Sequence, residues 1–567
     1  MKFFKFFPLA CAALMMSACS SDDPSNGGST GVNEPQYLSV NIVNVGATPS
    51  RASGDYEPGS ADENKINKVR FYFFNGDGTP YLIKATGTEV TGAENVNWLE
   101  ATPGEDTTTP GTSTSVEKIT NAVLVINGVQ SAAPAAIVAV VNPETIETVD
   151  PAVLQNKGSM RLTQLRENAV GSTFYKTDAG KVSDFVMSNS VFVNGGSDVC
   201  ASLVAGHVAT SEVDAKKNPV DLYVERVAAK VTADFDLNAF ETGDGTKWDA
   251  SQYGTKTAVG KIGAYDVYAV IDGWGLADEN GKAKVEKSVS TSWTDGILGI
   301  SPWTTYDYRR SFWETSVEFN AGTNKPVNHN FNDFKAKIKD VLYTLPNTPD
   351  TKITNVYDNN VTKFLVAATL KYKDEHDNWH TADICRYNGV EILGVDNLKK
   401  QVALTFSKYY TSTDASTYTQ LTKDDIAFNE PTTSVKNYQV TPILAADPTG
   451  TKKYYTKSLT GTYTEVSKDD VNAAIGADKA EIRTEGKAYY YVPIKHLGTT
   501  GNLGEYGIVR NHFYKITLNG IKGFGTPVYN PAKEIDPIVP TYSNTYLAAR
   551  VQVLQWRVVN QNVSLGK

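Results

Sequence analysis

A chain of 567 residues is too long for one ordinary domain and points to two or three. With 41% hydrophobic and 10% aromatic residues it can bury a sizeable core, which excludes disorder as the default. A net charge of −9 gives no support to nucleic-acid binding, which calls for clustered Lys and Arg.

At the amino end, Lys2 and Lys5 precede a short apolar stretch, Leu9 to Met16, too short to span a bilayer. Residues 1–18 therefore read as a secretory signal. The signal closes on Met16-Ser17-Ala18-Cys19, which resembles a bacterial lipobox and makes Cys19 the expected lipidation site. Ser20 to Glu34 is rich in Ser, Gly, Asn and Pro, the composition of a flexible tether. Tyr37 to Val45 then alternates Leu38, Val40 and Ile42 against Ser39 and Asn41, a strand signature. After it, Gly46 to Asp55 reads as a loop again. Within that loop Arg51-Ala52 lies between Pro49 and Gly54. Exposed loops with small residues are where proteases cut, and Arg suits the acidic pocket of an Arg-specific enzyme.

Strands and turns follow. Val69 to Phe74 runs into the turn Asn75-Gly-Asp-Gly78; Ala122 to Ile126 and Ala135 to Val141 read as buried strands, the second stopped by Asn142-Pro143. Ser159 to Ala169 is the expected helix of this half. A boundary is expected near 220, where Lys216-Lys-Asn-Pro219 precedes a fresh strand over 221–235. Further strands are expected at 261–271, 361–372, 488–494, 512–521 and 551–559. This pattern predicts a mainly β chain built of β-sandwich domains. Cys200 and Cys385, far apart in sequence, are expected to stay unbridged, although a single disulfide is possible in an oxidising compartment.

One internal repeat stands out. Lys408-Tyr-Tyr-Thr411 and Thr417 to Asp425 recur as Lys453-Tyr-Tyr-Thr456 and Thr462 to Asp470, 45 positions apart (408 to 453, 417 to 462). It reads as a duplicated hairpin with a short helix, Thr422 and Ser467 serving as N-caps. His376-Asp-Asn-Trp-His380 has the i, i+4 spacing of helical metal ligands but follows a strand and lacks the accompanying glutamate; an exposed turn is expected, and no metal or other cofactor. No serine or cysteine nucleophile motif is present, so no enzyme is predicted.

The last two dozen residues, 544–567, alternate in an unusual way. Leu547, Ala549, Val551 and Val553 share one face; the phase then slips to Leu554, Trp556 and Val558, and again to Val559, Val563 and Leu565. Fully extended, such a segment reaches about 80 Å, and each slip of one residue turns its apolar set to the other face. An apolar strand at a chain end is an aggregation hazard unless it has a destination, and completing another subunit's sheet is one.

At this point the chain resembles the type V pilins (fimbrillins) of Bacteroidales. The matching elements are Cys19, the strand followed by Arg51-Ala52, Phe185 to Ser190, Val224 to Val231, Asp307 to Trp313, Val509 to Ile516 and Val551 to Val559. Ser20-Ser21-Asp22-Asp23 looks like the surface-export tag of Bacteroidetes lipoproteins. The resemblance implies two transthyretin-like sandwich domains in tandem, over 52–220 and 221–543, a lipidated propeptide over 19–51, and a C-terminal donor strand over 544–567. It implies an outer-membrane lipoprotein precursor that an Arg-specific surface protease cuts at Arg51-Ala52, followed by an extracellular fimbrium. Partners would be copies of the chain and the tip and anchor pilins, with an adhesion target left open. Rival readings are a tip or anchor pilin, or a glycan-binding surface lipoprotein using Trp274, Trp303 and Trp313; core packing is the expected role of those tryptophans.

Overall fold

Val69–Phe74 and Ala136–Val141 show why β structure dominates the chain: both are runs of β-branched and aromatic side chains, buried along their whole length and paired with each other. The computed structural model describes residues 36–44, 59–84, 95–102, 104–105, 118–129, 132–147, 159–167, 169–171, 173–194, 197–289, 314, 329–349, 353, 361–430, 438–496, 503–535, 546–554 and 560–561. Within them the protein is mainly β, with short helices such as Leu162–Glu167, inside the helix expected at 159–169. Asn142, at φ 53°, ends the strand before Pro143 as expected. Its buried amide accepts from Asn67 N (2.9 Å) and donates to Phe185 O (2.9 Å), so a polar side chain closes that end of the sheet without loss.

The first large sheet runs in the order Trp98–Ala101, Val69–Phe74, Ala136–Val141, Met187–Asn189, Val220–Arg226, Gln36–Asn44, Lys118–Ile126, Gly104–Glu105. Its core draws on residues from Leu38 to Ala228, joined by Val285, Val289, Leu345 and Val509 from the second half. A second core lies between two sheets. One sheet orders Val341–Thr344, Ala229–Phe235, Phe513–Lys522, Tyr546–Leu554 and Asn560–Gln561; the other is centred on Tyr265–Ala277, Lys363–Lys373 and Lys487–Pro493.

Two expected strands are each divided. The stretch 221–235 forms Val220–Arg226, in the first sheet, and Ala229–Phe235, in the second. Between them Val227 N donates to Val186 O (3.1 Å) and Asn511 N to Ala228 O (2.6 Å), which diverts the backbone from one sheet to the other. The stretch 261–271 is a hairpin of Gly260–Ile262 and Tyr265–Ala277, because Gly263 takes φ 59° in the turn.

A third core, not foreseen from the sequence, is drawn wholly from residues 385–482. Its first and last strands, Ile384–Tyr387 and Ala480–Arg483, pair with each other. The strands before and after it, Lys363–Lys373 and Lys487–Pro493, also pair directly, so this lobe is an excursion from a closed sheet. It contains the repeat. The two hairpins join into one sheet ordered Thr419–Gln420, Tyr409–Ser412, Lys453–Lys457, Tyr463–Val466. Tyr410 faces its own repeat mate Tyr455, while Tyr409 faces Thr456 and Thr411 faces Tyr454: a local two-fold axis. Thr422 caps a single 3-10 turn through a reciprocal bond with Asp425, and Ser467 caps the helix Lys468–Ile475, as expected.

Candidate functional site: the head strand and the tail strand

The strand Gln36–Asn44 carries Leu38, Val40 and Ile42 of the strand expected to be removable, and it lies inside the first sheet rather than at its edge. It pairs antiparallel with Lys118–Ile126 over nine residue pairs and parallel with Val220–Arg226 over five. Leu38 and Val40 are 0% exposed; Leu38 stands opposite Leu124, and Val40 opposite both Ala122 and Val220. Full burial of a Leu or Val side chain stabilises by about 1.5–3 kcal/mol. At its start Tyr37 exchanges two backbone hydrogen bonds with Ala209 (2.8 and 2.9 Å). Taking this strand out would leave two facing rows of unpaired backbone groups and an apolar slot one strand wide.

The walls of that slot are anchored by buried charge at the far end of Val220–Arg226. Glu225 and Lys287, both 0% exposed, pair at 2.9 Å. Burial pushes the Lys287 amine down, against the pull of Glu225. Arg226 donates to Glu63 O (2.9 Å) and Asn511 Oδ1 (3.0 Å); burial pushes it down to about 10, opposed by Glu63. Glu63, 2% exposed, pairs with Lys230 at 2.8 Å and accepts from Tyr343 Oη. Burial, the largest single influence, would raise its carboxyl, but Lys230, Tyr343 and the Ser60 backbone together hold it below the usual range. Beside them Arg510 donates to Glu314 Oε1 (2.8 Å) and Val285 O (3.0 Å). Breaking one partner of such a pair is far costlier than its net worth. These ions tie Val220–Arg226 to residues from both halves of the chain.

None of Glu63, Glu225, Arg226, Lys287 or Arg510 was singled out individually from the sequence. The available signal was charge inside otherwise apolar strand runs, Val224 to Val231 and Val509 to Ile516.

The tail strand, Tyr546–Leu554, holds Leu547, Ala549, Val551, Val553 and Leu554 of the expected donor strand. It does not stand free. It pairs antiparallel with Phe513–Lys522 over nine residue pairs, with a bulge between Leu518 and Gly520. Among the described residues only the two-residue strand Asn560–Gln561 lies beyond it, so the tail strand has one nine-pair ladder where the head strand has one of nine pairs and one of five. The strand expected at 551–559 begins earlier, at Tyr546, and is described as far as Leu554; 555–559 lie outside the described residues. Cys19, Arg51, Ala52, Trp556, Val558, Val559, Val563 and Leu565 lie outside the described residues, as do Trp303 and Trp313. Trp274 is fully buried in the second core, the packing role expected of it.

The other sequence features resolve plainly. Asp374 accepts from His376 N and Asn378 N (both 2.8 Å) and from His380 Nε2 (2.8 Å), so 374–378 is the expected turn and Trp379–His380 pairs back on Tyr372–Lys373. Cys200 is buried in the first core and Cys385 in the third, so they do not pair with each other.

Comparison with known proteins bears on both ends of the chain. Residues 36–190 match the family described as Major fimbrial subunit protein (FimA), and residues 483–562 match Major fimbrial subunit protein type IV, Fimbrillin, C-terminal. The first match includes the whole head strand, the second the whole tail strand. No curated protein matches the chain. Similar solved structures include a fimbrilin from Porphyromonas gingivalis W83, 12% identical with a TM-score of 0.33, covering 93% of this chain and 98% of that one. The tip fimbrial protein Mfa3 from Porphyromonas gingivalis, with C-terminal truncation, is 10% identical with a TM-score of 0.27, covering 92% and 100%. A fimbrial assembly protein from Parabacteroides distasonis ATCC 8503 is 8% identical with a TM-score of 0.23, covering 76% and 98%.

Proposed function

We infer that this fimbrillin-type chain, a pilus subunit, is a shaft subunit that polymerises by exchanging its head strand for a neighbour's tail. The observation that carries this is the placement of Gln36–Asn44: an internal strand paired on both sides, lying before the Arg51-Ala52 loop that joins it to the rest of the chain. Cutting after Arg51 separates lipid anchor at Cys19, tether and strand from the body in one step. While the chain is intact, a dissociated head strand rebinds at high local concentration, so the slot stays filled. Once cut, a lost strand diffuses away and the exchange becomes directional without any cofactor.

The incoming segment is the neighbour's tail. The head strand and the paired part of the tail are both nine residues long, and both present small and branched apolar side chains on alternate positions. An incoming strand that runs antiparallel to Lys118–Ile126 and parallel to Val220–Arg226 restores both rows of backbone bonds. The tail is held on its own body along a single ladder at a sheet edge, so giving it up sacrifices one row and the slot returns two. A tail strand that never leaves Phe513–Lys522 is the competing reading; it gives the cuttable head strand no successor.

The cycle is then export, lipidation at Cys19, display at the outer membrane, cleavage by an Arg-specific protease, and capture of the next subunit in an extracellular filament. A shaft needs both a removable head and a donor tail, which favours it over a tip or an anchor. The test is N-terminal sequencing of protein sheared from cells, together with Arg51→Ala. The expected results are Ala52 as first residue and an uncut, monomeric lipoprotein from the variant. Abundant filaments from Arg51→Ala would overturn the reading.

A further inference from the structure

The lobe at 384–483 brings its duplicated tyrosines together in a way the pilus reading does not use. Tyr418, the residue just before the outer strand Thr419–Gln420, and its repeat mate Tyr463, the first residue of the opposite outer strand Tyr463–Val466, stack their rings with centroids 3.9 Å apart and planes within 5°. Tyr410 meets Tyr463 edge-on at 5.1 Å, and the two-fold image of that contact, Tyr418 with Tyr455, stands at 4.9 Å. Tyr455 is buried beneath, while Tyr418 and Tyr463 each keep part of the ring exposed. Aromatic pairs ordinarily prefer offset or edge-on arrangements at 4.5–7 Å. Among the described residues this is the closest Tyr–Tyr pair and the one with parallel rings.

We propose that Tyr418 and Tyr463 are an oxidative cross-linking site, joined ring to ring as dityrosine by a one-electron oxidant of the peroxidase class. Each phenol gives up one electron and one proton. The two phenoxyl radicals form a carbon–carbon bond between positions ortho to their oxygens, and the hydrogens on those carbons return to the oxygens. Two phenols and one hydrogen peroxide thus yield one linked bisphenol and two waters. Coupling requires two radicals within bonding reach before either is quenched; the stack supplies that proximity permanently. Tyr418 Oη already donates to Ala415 O (2.7 Å), which fixes its ring over Tyr463. The link would close the chain from 418 to 463 into a covalent ring and tie the two hairpins together. Cross-links of this kind stabilise chiefly by restricting the unfolded lobe.

The test treats the folded full-length protein with a haem peroxidase and hydrogen peroxide, then digests it with trypsin. The expected product is one dominant link between peptides 409–423 and 458–468, two hydrogen masses light, with fragment ions assigning Tyr418 and Tyr463. Tyr463→Phe and Tyr418→Phe should each abolish that product, and prior unfolding in urea should cut its yield at least tenfold. Slower proteolysis of the lobe after oxidation is the expected consequence. A link to Tyr410 instead, a link formed equally in unfolded protein, or dityrosine yield unchanged in Tyr463→Phe would each overturn the proposal.

Discussion

Leu38→Ala probes the head strand most sharply, because its effect should depend on whether the chain has been cut. Leu38 is 0% exposed and packs opposite Leu124, itself nearly fully buried, in the middle of the first core. Removing its branched end loses transfer free energy and leaves a cavity between two paired strands, a loss of about 2–5 kcal/mol. On the uncut precursor this should lower the unfolding midpoint of the first core by the order of 10 °C. Opening of the head strand should rise by a factor of about thirty to several thousand. After cleavage the residue is no longer part of the subunit. Filaments assembled from Leu38→Ala precursor should therefore melt like those of the parent. The assay is thermal unfolding of both proteins before and after treatment with an Arg-specific protease, with filament stability measured in parallel. An uncut Leu38→Ala protein that melts like its parent would refute the placement of the strand. Filaments that inherit the defect would refute its removal.

The junction between the cores offers further tests. Glu286 is fully buried, and burial pushes its carboxyl up to about 8 against the pull of Arg510 and Arg166. Its folded value lies above the unfolded 4.5, so the stability it allows is complete below pH 4.5 and is lost as pH rises to 8, by roughly 1.4 kcal/mol per unit. Glu286→Gln should thus equal the parent near pH 4 and exceed it by several kcal/mol near pH 8; urea unfolding at both pH values decides, and equal stability at pH 8 contradicts the assignment. Lys287→Met strands Glu225 as a buried lone charge and should cost about 3–5 kcal/mol, whereas Glu225→Leu with Lys287→Met should recover most of it; a double variant as weak as the single would contradict the pairing. Replacing 388–479 by a short turn between Tyr387 and Ala480, which face each other, should leave export and filament formation intact; loss of a folded product would show that the lobe is not an independent excursion.

Much of the strand and turn pattern was legible because it is written in short windows of sequence. Alternation at 38, 40 and 42 locates the head strand; the repeat spacing yields two hairpins and the caps at Thr422 and Ser467. What the sequence hides is pairing. Period-two alternation says that Leu38 and Val40 share a face, not that the strand lies between 118–126 and 220–226. The break at Val227-Ala228 is invisible because both residues are apolar and continue the strand pattern, while the diversion comes from bonds to Val186 and Asn511, remote in sequence. The third core escaped notice for the same reason: its bounding strands are short, and only their mutual pairing closes it off. The clamp at Glu63, Glu225 and Arg510 depends on partners drawn from as far apart as Glu63 and Tyr343, which no local window contains.

The exchange itself can be observed in mature filaments sheared from cells and solved by electron cryo-microscopy. The decisive density lies between Lys118–Ile126 and Val220–Arg226. The account predicts that it traces to residues of the neighbour's 544–567, with 36–44 gone. The subunit's own 36–44 still in that place, or a vacant slot with the tail seated on its own Phe513–Lys522, would contradict it.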